Sequence, residues 1–216
     1  MEWNELITER FNSFAWTNDR GEVDVNDIKN SLIQVFNKAP SKNQKYPFTI
    51  KLVKNNPDLK LKLMQVCHRN RDLSVEEDAG NPQVLAPYLL GFCRRDIEET
   101  ATKQDYRIAE DIENYSCLEM GIQATYIMLE LKNRGLDTGI VSCIQDQDVA
   151  AELLGLPKKC KLIIGIGYSS YNIRSQEPRT YHDPRINKTK PIPFIRQDKD
   201  IVYPKPEFKE VYQWEN

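Results

Sequence analysis

The sequence predicts a fold of the α/β or α+β class, in which helices and strands share one core. Its 216 residues, 40% of them hydrophobic, are enough to bury such a core. Helical spacings of apolar residues alternate with short apolar strands along the chain, which is typical of both classes. The longest apolar run, 162–166, has five residues, whereas a membrane-spanning helix needs roughly 20. A membrane protein is therefore not expected.

The first part of the chain is predicted to contain three helices and two strands. Apolar residues recur every three or four positions in the helices, and Pro40 ends the second one. Gly80, Pro82 and alternating charges predict a surface loop over 69–82. The expected helices are 2–12, 26 or 27 to 38, and 58–67, and the expected strands are 48–53 and 84–92.

The second part contains the longest helical pattern, over 107–134. Apolar residues cover most of its circumference, so we expect this helix to be buried in a large core or in a subunit interface. Gly135 ends it. Further expected elements are strands at 138–144 and 161–168 and a helix at 147–154. The remainder, 169–216, is rich in proline and is expected to be an extended arm.

The charge balance argues against a protein that depends on nucleic acid. The chain has 30 Lys and Arg residues against 32 Asp and Glu residues, a formal net charge of -2, whereas a nucleic-acid footprint is strongly basic. The first residues are acidic and polar, unlike a signal peptide. We therefore expect a cytoplasmic protein with neither a nucleic-acid nor a membrane partner.

The cysteines and histidines do not suggest a metal or disulfide site. Five cysteines are an odd number, and none stands in a C-x-x-C pair, so we expect buried free thiols. Two histidines are too few for a multi-histidine metal site. Cys143 lies near a predicted strand end, but no neighbouring histidine is evident to activate it, so a structural thiol is the favoured interpretation. The pair Gly165 and Gly167 lacks the third glycine and the following helix of a dinucleotide-binding fingerprint.

Several separated segments carry a more informative pattern. Residues 39–48 read APSKNQKYPF between a helix and a strand, and residues 81–87 read NPQVLAP. The later segments are GLDTGIVSCI at 135–144, LLGLP at 153–157, LIIGIGY at 162–168 and KTKP at 188–191. In order and spacing they resemble the FMN-dependent nitroreductase family, over roughly residues 2–195. Each segment is short, so their co-linearity carries the resemblance.

The resemblance implies a fold and an activity. The implied fold is α+β, a three-layer α/β/α sandwich with a mixed, mainly antiparallel central sheet, in an intertwined homodimer. One domain would span 1–195, and 196–216 would be an arm that embraces the partner. The implied activity is FMN-dependent: NADH or NADPH delivers hydride to flavin N5, and a nitro-aromatic, quinone or similar small conjugated acceptor then takes it in a ping-pong cycle. Because the cofactor carries this chemistry, no catalytic side chain is expected.

The resemblance also implies a set of cofactor-binding residues. FMN phosphate needs several cations and hydrogen-bond donors held together. The family's phosphate ligands match Arg10, Asn12, Lys188 and Lys190. Its contacts to the ribityl chain and the isoalloxazine ring match Ser41 and Asn43, together with Asn81 and Gln83 on the N1, O2 and N3 side. Backbone N–H groups at Cys143 and Ile144 match those that approach N5.

One departure from the family pattern keeps a second hypothesis open. The family has a cation two residues after Asn12, where this chain has Phe14. Loss of a guanidinium contact to phosphate weakens binding by about 1 kcal/mol or more. The alternative is therefore a flavin-deficient member of the same fold that acts as a binding or structural dimer.

Overall fold

Polar caps and prolines define where the helices begin. Asp24 accepts a hydrogen bond from the Asn26 N–H, and Asn56 accepts one from the Leu59 N–H. Asp146 accepts from the N–H groups of two residues in the next turn. Such caps satisfy backbone donors that have no partner within the helix.

The computed structural model describes residues 2–9, 13–41, 44–68, 74, 80–96, 109–170 and 180–191.

The described residues form five α-helices, seven strands and one 3₁₀ turn. The helices are α1 (Trp3–Glu9), α2 (Val25–Lys38), α3 (Pro57–Val66), α4 (Ala109–Asn133) and α5 (Gln147–Leu154). The strands are β1 (Trp16–Thr17), β2 (Phe48–Lys54), β3 (Tyr88–Arg94), β4 (Asp137–Val141), β5 (Cys160–Ser169), β6 (Thr180–Asp183) and β7 (Lys188–Pro191), and the 3₁₀ turn is Pro82–Leu85.

Strand β5 lies at the centre of the main sheet. It pairs with β3 on one side and with β4 and β1 on the other, and β2 lies beyond β3. All these pairings are antiparallel, which confirms the mainly antiparallel sheet. The described strands include no parallel pair, so the mixed character expected of the sheet is not seen in this part of the chain.

Helices cover both faces of the sheet, which confirms the three-layer α+β architecture. Side chains alternate between the two faces of a strand. On β3, Leu90 and Phe92 pack in the core under α2 and α4, whereas Leu89 and Cys93 pack in the core under α3 and α5. On β5, Ile163 belongs to the α3–α5 core, whereas Ile164 belongs to the α2–α4 core.

The expected strand over 84–92 was wrong in its first part. Pro82–Leu85 is a 3₁₀ turn, and β3 begins only at Tyr88. Pro87 has no N–H to give to a sheet. In addition, the side-chain amide of Asn55 donates to the carbonyl oxygens of Val84 and Ala86, at 2.7 and 2.8 Å. The segment is therefore held in a turn although it is apolar.

The expected extended arm was also wrong over part of its length. Strands β6 and β7 form a hairpin, in which Tyr181 and Asp183 are buried. Asn187 supplies the positive φ, 52°, that its turn requires. The proposed arm at 196–216 lies outside the described residues and stays a prediction.

The cysteine prediction is confirmed in part. All five cysteines are free, and Cys67, Cys93 and Cys160 are buried, but Cys117 and Cys143 are exposed. Within the described ranges, no cluster of three or more potential metal ligands is found. Among these same residues, no helix combines the length and apolar character needed to cross a bilayer.

Candidate functional site

Asn81 and Gln83 lie directly on the face of the sheet that α3 and α5 cover. Both residues are only 3% exposed. Their close approach depends on glycines in the strands below. A β-carbon at Gly139 would collide with the Ser13 carbonyl and the Gln83 side chain, and one at Gly165 would collide with the Gln83 carbonyl. The two glycines thus make room for segments 13–15 and 81–83 on the sheet.

Gln83 carries a polar atom that the described chain does not satisfy. Its Oε1 is buried and has no hydrogen-bond partner among the described residues. An unpaired buried acceptor costs roughly 1–3 kcal/mol. A bound group with an N–H donor at this position would remove that cost, so the side chain fits the predicted role of a ligand contact.

The turn after β4 lies beside Asn81. The Asn81 amide Nδ2 lies 3.4 Å from the carbonyl oxygen of Cys143. The Ile144 N–H donates to the Ser142 carbonyl at 3.0 Å, so it is already occupied. Gln145 fixes the turn to the end of α3, because its N–H donates to the Val66 carbonyl at 2.8 Å.

The β6–β7 hairpin is attached to the same region by a buried ion cluster. The Arg185 guanidinium donates to Asp183 through Nε at 3.0 Å and through Nη2 at 2.8 Å, and its Nη1 lies 3.4 Å from the Met64 carbonyl. A β-carbon at Gly80 would lie 2.9 Å from Arg185 Nη2. The hairpin therefore packs against the residue that precedes Asn81.

Lys190 belongs to this cluster. Its Nζ lies 3.5 Å from Asp183 Oδ2. Burial alone would raise the pKa of Asp183, but hydrogen bonds and charge from Arg185, with the charge of Lys190, hold that pKa below its usual value. Asp183 thus stays ionised and fixes both cations. Lys188 is exposed and, two residues away on β7, lies on the same face of the strand as Lys190.

The structure separates Ser41 from Asn81 and Gln83. The Ser41 hydroxyl donates to Glu119 Oε2 at 2.6 Å and accepts from the Tyr46 N–H at 2.9 Å. Glu119 is on α4, so Ser41 lies on the opposite side of the sheet from Asn81 and Gln83. Arg10, Asn12 and Asn43 lie outside the described residues, and their predicted roles stay predictions.

Phe14 and the Asp183–Arg185 pair are two further features of this region. Phe14 packs against the α3–α5 core, so it supplies an aromatic ring where the family has a cation. Asp183 and Arg185 were not predicted as functional residues because an extended arm was expected in their segment. Two features of the sequence could have predicted this hairpin. Asp183 and Arg185 carry opposite charges two residues apart, and Asn187 follows in a turn position.

Comparison with known families identifies the chain. The model of the Nitroreductase family matches residues 23–168, more than half of the sequence. The chain belongs to the nitroreductase family. This confirms the resemblance found in the sequence, and it supports an enzyme of the flavin-dependent oxidoreductase class in general terms. The match leaves out Arg10, Asn12, Lys188 and Lys190, so the predicted phosphate ligands are not tested by it.

Solved structures share this nitroreductase fold. A nitroreductase family protein from Streptococcus pneumoniae TIGR4 is 17% identical, with a TM-score of 0.62 over 82% of this chain and 96% of its own. The NADPH:FMN oxidoreductase from Vibrio harveyi, solved in complex with NAD+, is 19% identical, with a TM-score of 0.61 over 82% and 72%.

A third solved structure matches this chain over its full length. A nitroreductase family protein from Clostridium difficile 630 is 18% identical, with a TM-score of 0.61 over 100% of this chain and 99% of its own. At such identities the likeness shows the fold alone. No curated protein matches the sequence significantly.

Proposed function

We propose that this nitroreductase family protein is an FMN-dependent NAD(P)H oxidoreductase that acts as a cytoplasmic homodimer. The two-electron chemistry between a nicotinamide donor and a nitro-aromatic, quinone or similar conjugated acceptor is supplied by the flavin when it is bound. The residues of the chain bind the flavin, orient it and exclude water. No side-chain acid or base is assigned.

The buried amides at Asn81 and Gln83 carry this proposal. The pyrimidine part of an isoalloxazine ring presents an N–H donor between two carbonyl acceptors. Gln83 offers an unpaired buried acceptor, and Asn81 offers an amide donor whose present contact, at 3.4 Å, is long. Two buried amides beside the Cys143 turn are thus a donor and acceptor set that fits this ring edge.

The β6–β7 hairpin supports a position for the FMN phosphate in the same site. Lys188 and Lys190 lie on one face of β7. Arg185 donates to Asp183 through two nitrogen atoms, so the Asp183 carboxylate is shared between Arg185 and Lys190. A phosphate group carries two negative charges, and it would be repelled more strongly by an Asp183 carboxylate paired with Lys190 alone. Pairing of Asp183 with Arg185 as well therefore favours phosphate binding at the lysines.

The separation of Ser41 from Asn81 supports a dimer. One chain cannot present both residues to one ligand, because the sheet lies between them. A second copy would supply Ser41 and Asn43 to the site. Helix α4 exposes Leu118 and Tyr126, at 62% and 42%, and exposed apolar side chains of this kind are typical of a subunit interface.

Anaerobic spectroscopy tests the proposed reaction. Protein loaded with FMN should lose its visible flavin absorbance when NADH or NADPH is added, and regain it when a quinone or nitro-aromatic is mixed in. Flavin that stays oxidised with either nicotinamide would contradict the proposal. A protein that binds no FMN at all would instead support the flavin-deficient alternative suggested by Phe14.

A further inference from the structure

One cavity of the described chain has a wall that includes Phe14, the residue that departs from the family pattern. Its volume is about 540 Å³, within the usual range for small-molecule sites. Phe14, Trp16 and Tyr88 are among the residues that line it. None of the described residues predicted to bind FMN lines it. Its described wall thus shares Phe14, but no predicted FMN ligand, with the candidate flavin site.

One lysine of the cavity wall forms no ion pair within the described ranges. Lys60 lines the cavity and is half-buried, with no ion pair or side-chain hydrogen bond to any residue in the described ranges. Burial lowers the pKa of Lys60, which reflects the cost of holding an ammonium group away from water. Lys54 also lines the cavity, and the single carboxylate on its described wall belongs to the exposed Glu22.

A buried acceptor lies on the same wall. Asn55 lines the cavity and is only 9% exposed. Its Nδ2 donates to two carbonyl oxygens, which fixes the orientation of the amide. Its Oδ1 then has no hydrogen-bond partner among the described residues. Asn55 stands just ahead of α3, and Lys60 lies in the first turn of that helix, so both residues come from one short segment of the cavity wall.

We propose that this cavity binds a small aromatic carboxylate that carries a hydroxyl or amino group. The carboxylate pairs with Lys60, the ring packs against Trp16 and Phe14, and the hydroxyl or amino hydrogen is donated to Asn55 Oδ1. A guanidinium or ammonium group at position 14 would put a further cation in place of an apolar contact for the ring. The departure at Phe14 thus belongs to this cavity as well as to the flavin site.

Calorimetric titration with para-hydroxybenzoate tests the proposal on the full chain, with and without saturating FMN. We expect one molecule bound per chain in both conditions. Benzoate, which lacks the hydroxyl, and para-hydroxybenzamide, which lacks the charge, should each bind at least about tenfold more weakly. Displacement of para-hydroxybenzoate by FMN would place it in the flavin site and overturn the proposal.

Substitutions at neighbouring lysines separate this cavity from general surface charge. Lys60→Gln should weaken para-hydroxybenzoate binding about tenfold or more, whereas Lys60→Arg should retain it. Lys62→Gln removes an exposed lysine from the same helix, already paired with Asp58, and should leave binding unchanged. Equal losses in Lys60→Gln and Lys62→Gln, or no binding by the wild type, would overturn the proposal. FMN binding, measured in the same variants, should not change, so the test is independent of the flavin site.

Discussion

Gln83 combines two properties that are seldom found in one side chain, namely deep burial and an unpaired acceptor. Such an atom reduces the stability of the folded chain unless a ligand supplies a donor. Asp183 shows the opposite case, because its buried carboxylate is paired with Arg185 and Lys190. Substitutions at these two residues should therefore change the stability of the chain differently.

Replacing Gln83 with methionine should separate stability from cofactor affinity. Gln83→Met keeps the shape of the side chain but removes the unpaired oxygen, so the free energy of unfolding without FMN should stay equal or rise by up to about 1 kcal/mol. FMN affinity should fall about tenfold because the donor–acceptor contact is lost. Urea unfolding and FMN titration of the same preparation measure both effects. Unchanged FMN affinity would remove Gln83 from the site.

Arg185→Met should destabilise the chain strongly. It leaves the Asp183 carboxylate buried, with Lys190 as the remaining cation beside it among the described residues, and breaking a buried pair costs about 3–5 kcal/mol. Lys62→Met, which breaks the exposed pair with Asp58, should cost less than about 0.5 kcal/mol. Urea unfolding at neutral pH compares them. Similar losses in both variants would contradict the assigned importance of the cluster.

The cost of Arg185→Met should depend on pH. The pKa of Asp183 is lowered in the folded chain, so its ion pair stabilises fully above the ordinary carboxyl pKa of about 3.9. This stabilisation is lost as the pH falls through the lowered folded pKa. The difference in unfolding free energy between wild type and variant should therefore shrink in acid. A difference that is constant from neutral pH to strongly acidic solution would argue against an ionised Asp183.

At the level of secondary structure, the glycines of the central sheet shape the site. Gly139 on β4 and Gly165 on β5 let backbone lie where a side chain would normally stand. Gly121, in contrast, lies in the middle of α4 with open space around it. The same substitution should therefore have opposite effects at the two kinds of position.

Gly139→Ala should destabilise the chain by about 1–3 kcal/mol, because its β-carbon collides with the Ser13 carbonyl and displaces Gln83. FMN affinity should fall with it. Gly121→Ala should be neutral or stabilise by up to about 1 kcal/mol, since alanine favours helix. Thermal unfolding and FMN titration of both variants are the measurements. A Gly139→Ala protein that behaves like Gly121→Ala would show that the 13–15 and 81–83 segments do not rest on the sheet.

For the whole molecule, the order of the helices and of the strands β2 to β5 along the chain followed from the sequence, but the site did not follow completely. Helices α2, α3 and α5 begin within two residues of their predicted starts because caps and prolines are local. The 82–85 turn depends on Asn55, 29 residues away from Val84, and the β6–β7 hairpin depends on a buried ion cluster. Contacts between distant residues leave no local periodicity, so these features appear only in three dimensions.

Substitutions on α4 test the proposed dimer interface. Leu118→Glu places a charge on the exposed apolar surface of this helix and should convert a dimer to a monomer. Val149→Glu changes a comparably apolar residue, 39% exposed on α5, and should leave the dimer intact. Sedimentation equilibrium distinguishes the two. A wild-type monomer, or a Leu118→Glu dimer of unchanged strength, would contradict an interface at this position.

FMN titration, followed by flavin fluorescence, measures whether Asn81, Gln83 and the lysines of β7 form a flavin site. We expect saturable binding of one FMN per chain, weakened at least about tenfold by Lys190→Gln, which removes a charged contact to the phosphate. Absence of binding at FMN concentrations up to about 1 mM, where the binding free energy is near -4 kcal/mol, would contradict it.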